Sequence, residues 1–177
     1  MCLFRPPRAQ TAPEDRLAVC CQNIKSTIEA IFRTQLPLIS TSVSLGVRKQ
    51  VRIFGGKAFM KWAKKENISD DQLCQIAKEA FGGEVEADLG KYLFKKRVAR
   101  EGKGKSGGYR TIIAYRKKKS DRIVFLYGFP KNNRGNITKT EKEALSVAAA
   151  AFIDANDKQV DALKDIGSFI ELECRNE

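Results

Sequence analysis

Two runs of this chain leave little choice of architecture. Residues 109–116, YRTIIAYR, place Tyr109, Thr111, Ile113 and Tyr115 on one side of an extended backbone and Arg110, Ile112, Ala114 and Arg116 on the other. Both sides carry apolar residues, as those of a central strand should. Residues 122–129, RIVFLYGF, are apolar almost throughout and belong beside the first run in the interior of a sheet. A third extended stretch at about 91–99 precedes them, so a β-meander connects the three. VRIF at 51–54 reads as a short strand, and SFIELE after Gly167 as an edge strand.

The remaining periodicity is helical. Phe59, Trp62 and Ala63 share one face of a first helix. Ser69 with Gln72 forms the capping box of a second. Leu73, Ile76, Ala77, Ala80 and Phe81 supply its apolar stripe before Gly82 and Gly83 end it. The two make a hairpin whose apolar faces need a sheet to cover. Thr138 with Glu141 opens a later helix along which Leu145, Ala148, Ala149 and Phe152 align, and Asp157 is expected to cap a short last helix through Leu163.

Residues 1–50 differ from the rest, holding four of the five prolines and three of the five cysteines. The domain is therefore expected to occupy 51–177, with 1–50 an appended, linker-like extension. Leu17, Cys20, Cys21, Ile24, Ile28, Ile31 and Phe32 recur at helical spacing within it, which predicts a helix over 15–33. The competing reading of the extension is an over-extended gene start, with the protein beginning near Val47 or Val51.

Charge narrows the function. The net formal charge is +12, and from Leu89 to Lys119 twelve Lys and Arg stand against the single acid Glu101, giving +11 in 31 residues. A merely soluble surface intersperses both signs, so this clustering points to a polyanion. Tyr92, Tyr109 and Tyr115 interleave with the cations in the manner of an RNA-contacting surface that stacks bases between phosphates. The segment AREGKGKS at 99–106 approaches the phosphate loop of nucleotide hydrolases, but Ala99 stands where the first glycine belongs. The residues after the two glycines at 107–108 have the pattern of a strand, not of the helix whose N-terminal amides would face a triphosphate. A basic arm gripping RNA phosphates is the better reading.

No run of eighteen apolar residues predicts a membrane span, and no signal-peptide pattern opens the chain. The five cysteines lack metal-ligand spacing and there is no histidine, so neither metal nor cofactor is expected. Reduced thiols in the cytoplasm are the default, with Cys74 read as part of a helical apolar stripe.

KKR at 95–97, GKGKSGGYRT at 102–111, FLYGFPKN at 125–132 and NIT at 136–138 occur in an order that resembles the RelE-like toxins of bacterial type II toxin–antitoxin systems. The resemblance is greatest to the HigB-type branch, in which the Gly-Lys-Ser-Gly-Gly-Tyr-Arg and Tyr-Gly-Phe-x-Lys-Asn segments recur. It spans about Arg52 to Glu173 and takes in KWAKKENISDDQLC and EADLGKYLFKKR. It implies an α+β RelE-like fold, with the N-terminal helical hairpin packed on a twisted, mainly antiparallel sheet and with C-terminal helices after it. It also implies an endoribonuclease that needs no metal, enters the ribosomal A site and cuts mRNA through attack of the RNA's own 2′-OH on the adjacent phosphate. A cognate antitoxin, of helix-turn-helix type, would silence it and alone carry it to operator DNA.

Without histidine, that chemistry must run on Lys, Arg, Tyr or carboxylates. By motif position Arg110 is the phosphate clamp, Lys95 the general base and Arg97 the charge stabiliser; Lys131 is a weaker match, and Tyr127 stands in for the family's C-terminal tyrosine as acid. Lys96, Arg100, Lys103, Lys105, Tyr109 and Arg116 are the candidate RNA contacts. Two alternatives stay open on sequence alone: a non-catalytic RNA- or DNA-binding module whose cations only anchor phosphates, and a protein that merely binds an acidic antitoxin peptide.

Overall fold

The computed structural model describes residues 51–99, 108–116, 121–132 and 134–174. The extension 1–50, with its expected helix at 15–33, lies outside them, as does most of the Gly-Lys arm.

In chain order the elements are β1 (Arg52–Gly56), α1 (Lys57–Lys65), α2 (Asp70–Phe81), β2 (Ala87–Gly90), β3 (Leu93–Val98), β4 (Tyr109–Tyr115), β5 (Arg122–Pro130), α3 (Lys139–Asp154), α4 (Asp157–Asp165) and β6 (Phe169–Leu172). They form an α+β fold around one six-stranded mixed sheet of order β2-β3-β4-β5-β1-β6. Every neighbouring pair is antiparallel except β1 with β5, which run parallel. The meander β3-β4-β5 is as expected, and β4, buried at all seven positions, is central.

Alternation along the strands builds two cores. Ile113, Phe125, Phe94 and Tyr115 face the α1–α2 hairpin, meeting Phe59, Leu73, Ile76 and Ala77. Leu93, Ile112, Ala114 and Val124 face the other way, onto Leu145, Ala149, Phe152 and Val160 of α3 and α4. Each fully buried Leu, Ile or Phe contributes about 1.5–3 kcal/mol of hydrophobic free energy, so β4 and β5 are held by apolar layers on both sides.

The capping boxes at Ser69–Gln72 and Thr138–Glu141 are both formed. The cap of α4 is Asn156 rather than Asp157. The Asn156 side chain accepts from the Gln159 backbone N–H at 3.0 Å and the Gln159 side chain answers at 2.9 Å, while Asp157 inside the first turn pairs with Arg122. The strand expected from residue 91 starts at Leu93. Lys91 and Tyr92 both adopt positive φ and make the two-residue turn of a β2–β3 hairpin that the sequence pattern did not reveal.

The expectation of unpaired thiols is also corrected. Cys74 on α2 is disulfide-bonded to Cys174 just beyond β6, with 5.7 Å between their Cα atoms. Their separation of 100 residues leaves no local signal to read.

Candidate functional site

The connection from β3 to β4 joins two paired antiparallel strands, with no helix after it. A nucleotide-binding loop has no helix N-terminus to use here. Gly108, where β4 begins, is a packing requirement: a Cβ there would lie 2.5 Å from the Val98 carbonyl oxygen.

Register sets the candidate residues in two rows. On β3 and β4, Lys95 stands opposite Ile112 and Arg97 opposite Arg110. Between β4 and β5 a bulge at Ile112/Ile113 shifts the pairing, so that Ile112 meets Tyr127 and Arg110 meets Phe129. Regular alternation would have turned Tyr127 towards the hairpin side. The bulge turns it to the α3 side, the re-aiming such irregularities perform. Lys95, Ile112 and Tyr127 therefore form one cross-strand row, and Arg97, Arg110 and Phe129 the next, each about 10 Å across. Lys131 comes directly after β5 at this end, its backbone N–H donating to the Gly108 carbonyl at 3.1 Å.

Two groups that the sequence pattern did not single out complete the cluster. The Arg134 guanidinium lies over the Tyr127 and Phe129 rings, donates from Nη2 to Tyr127 Oη at 2.5 Å, and is gripped by both Glu141 oxygens at 2.7 and 2.9 Å. Burial pushes the Glu141 carboxyl up, but the Thr138 backbone N–H and Arg134 together hold it below its ordinary value. Glu86, whose N–H donates to the Lys95 carbonyl at 2.8 Å, sends its carboxylate to Arg110 Nε at 2.7 Å and Lys95 Nζ at 3.7 Å. The Arg110 contact is one of charge rather than alignment: its buried Nε and Nη1 have no hydrogen-bond partner among the described residues. Glu86 is brought in by the hairpin turn at 91–92, which folds EADLG back along KKR and which the sequence pattern did not reveal. Arg134, in a loop, had no signal in the sequence.

Several expected RNA contacts are placed elsewhere. Lys96 points to the hairpin side, where its Nζ pairs with Glu79 at 2.8 Å and Glu84 at 3.8 Å. The hydrogen bond from Lys96 is the chief reason the Glu79 carboxyl lies below its usual value. Tyr109 is 1% exposed, edge-on to Trp62, with its hydroxyl donating to Glu66 at 2.8 Å, so it cannot stack on a base. Tyr115 is likewise buried, its hydroxyl donating to the Ala80 carbonyl. The physical reason is strand parity: residues 96, 109 and 115 share the hairpin face with Phe94 and Ile113. Arg116 stands six residues along β4 from Arg110, about 20 Å away, and pairs with Asp154 over the Tyr92 ring. Arg100, Lys103 and Lys105 lie outside the described residues.

The α3 side of the sheet thus gathers a cluster of the cations Lys95, Arg97, Arg110 and Arg134, with the Tyr127 phenol and the carboxylates of Glu86 and Glu141 among them. No curated protein matches the chain. The family model described as the RelE toxin of the RelE / RelB toxin-antitoxin system matches residues 51–172, which span the whole sheet and every residue of the cluster, and the chain belongs to that family of toxins.

Proposed function

We propose that this toxin is a ribosome-dependent endoribonuclease of the HigB type, which stops translation in the cytoplasm by cutting mRNA in the ribosomal A site. A cognate antitoxin with a helix-turn-helix domain silences it and supplies the contact with operator DNA. The catalytic unit is 51–177, and 1–50 is an extension of it. The observation that carries the reading is the convergence of Lys95, Arg97, Arg110 and Tyr127 in two adjacent cross-strand rows.

In the reaction the 2′-oxygen bonds to the adjacent phosphorus, the bond from phosphorus to the 5′-oxygen breaks, and a cyclic phosphate and a 5′-hydroxyl result. Arg110 and Arg97 clamp the phosphate and stabilise the charge that builds on it, a role suited to an always-charged, fork-shaped donor. Lys95, expected to be the base, has Glu86 as its ion-pair partner and joins the cations. Tyr127, oriented by Arg134, gives its proton to the departing 5′-oxygen. Lys131, with Arg100, Lys103 and Lys105 of the arm, anchors flanking phosphates.

Arg110→Met keeps most of the buried volume and removes the fork. Expression of the parent without antitoxin should arrest growth, and the purified protein should cut mRNA on ribosomes. Arg110→Met should lose both, with cleavage down about 100-fold or more, the scale of removing one charge-stabilising donor. A folded variant that cuts as fast as the parent would reject Arg110 as the clamp.

A further inference from the structure

We propose that Glu86 is the proton acceptor of this site, freed for that task when the scissile phosphate takes Arg110 from it; this rests on the ribonuclease reading above. Glu86 is fastened where it must be. Its backbone N–H bonds to the Lys95 carbonyl, and its carboxylate lies between Lys95 on β3 and Arg110 on β4, with Arg97 opposite Arg110 on the same face.

The Arg110–Glu86 contact is short but poorly made. Nε is 2.7 Å from the carboxylate, yet neither Nε nor Nη1 has an aligned acceptor among the described residues, and both atoms are buried. Buried donors without acceptors are costly, and a guanidinium fork is best satisfied by two oxygens in its plane. A phosphodiester offers such a pair. Exchange of Glu86 for phosphate therefore completes the hydrogen bonds of Arg110 and leaves the carboxylate beside the phosphate it has admitted, next to the ribose 2′-OH.

An ionised carboxylate only accepts, whereas the other titratable members of the cluster, Glu141 apart, are cations and a phenol. Glu141, on the same side of the sheet, is committed to the Thr138 N–H and Arg134. Glu79 and Glu84 serve Lys96 across the sheet. The step balances: Glu86 takes the 2′-OH proton as the bond from O2′ to phosphorus forms, the bond from phosphorus to O5′ breaks, and the 5′-oxygen takes the Tyr127 proton. The phenolate left on Tyr127 faces Arg134. Glu86 then loses its proton to solvent and Tyr127 regains one.

The test is single-turnover cleavage of mRNA on ribosomes, at saturating protein, across pH. Glu86→Gln should cut about 10²–10⁴-fold more slowly, lose the fall in rate on the acid side, and bind ribosomes as tightly as the parent or more so. Glu86→Asp, which keeps the carboxylate one methylene short, should be slowed yet retain the acid fall, and it carries the test if the Gln variant does not melt like the parent. A Gln variant that cuts within a few-fold of the parent overturns the role. So does one whose loss lies only in affinity with the acid fall intact, which would make Glu86 a positioning residue. A parent that does not cut ribosome-bound mRNA removes the ribonuclease reading itself, and this role with it.

Discussion

At Gly128 the sheet meets α1 with no room for a side chain: a Cβ there would lie 2.0 Å from Trp62 Cζ3 and within 2.5 Å of two other ring atoms. Trp62 in turn packs against Phe59 and stands edge-on to Tyr109, so it cannot retreat without disturbing the hairpin core. Gly128→Ala should therefore cost about 1–3 kcal/mol, the usual scale of overpacking, seen as a lower melting temperature, and Trp62→Leu in the same chain should recover part of it. A Gly128→Ala protein as stable as the parent would show that Trp62 has slack. The Tyr-Gly-Phe segment was legible in the sequence as a family mark, but its glycine is there for packing on α1, while its Tyr127 and Phe129 face the cations on the far side. Burial within a basic run was hidden from the sequence. Tyr109 and Lys96 looked like RNA contacts because charge density is read along the chain, whereas exposure is decided by strand parity, and parity assigns them to the hairpin face.

Local chemistry specified the elements well where the signal lay within one turn. The Ser69–Gln72 and Thr138–Glu141 boxes are reciprocal contacts three residues apart, and both formed as expected. Pairing across longer stretches left no comparable trace: the parallel β1–β5 contact joins Arg52 to Arg122, and the bulge that turns Tyr127 is set by how β4 and β5 pair, while β2, though local, turns on Lys91 and Tyr92, which carry none of the usual Asn-Gly or Gly signal of such a turn. The site was legible as a set of residue types and not as a set of neighbours. The same long-range pairing holds β1, β6 and α4 through Arg52, which bonds Glu171 at 2.6 and 2.9 Å and Asp161 at 2.8 Å. The Arg52 bond is the main reason the Glu171 carboxyl lies below its ordinary value near 4.5, and Lys96 does the same for Glu79. A carboxylate whose folded value is depressed stabilises the fold above its unfolded value, and that contribution is lost as pH falls through the folded one. Stability should thus drop as the pH is taken below about 4.5. Glu171→Gln should cost roughly 0.5–1 kcal/mol at neutral pH, since the pair is partly exposed, and should fall less steeply in acid. An unchanged acid slope in that variant's melting curves would remove Glu171 from the account.

Across the whole molecule the contact of longest reach is covalent. Cys74 on α2 and Cys174 beyond β6 clip the helical hairpin to the far edge of the sheet, closing a loop of about 100 residues that includes every candidate catalytic residue. Such a bond acts mainly on the unfolded chain: loop-closure entropy sets about 4.7 kcal/mol as the scale for 100 residues, and measured values usually fall nearer 2–4. It also secures β6, a four-residue strand whose Ile170 is exposed and which, among the described residues, pairs with β1 alone. A reducing cytoplasm opposes bonds of this kind, so the stability of the toxin should depend on the redox state in which it is measured. Melting with and without a thiol reductant, with free thiols counted, should give a midpoint about 10 °C higher for the oxidised protein, the shift expected for 2–4 kcal/mol in a unit of this size. Cys174→Ala should melt like the reduced parent under both conditions. Cys74→Ala should melt lower still, because Cys74 is 5% exposed among Leu73, Ile76 and Ala77 and its loss also removes packing from the core. If oxidised parent, reduced parent and Cys174→Ala melt together, the bond contributes nothing, and noncovalent packing alone holds β6 to the sheet.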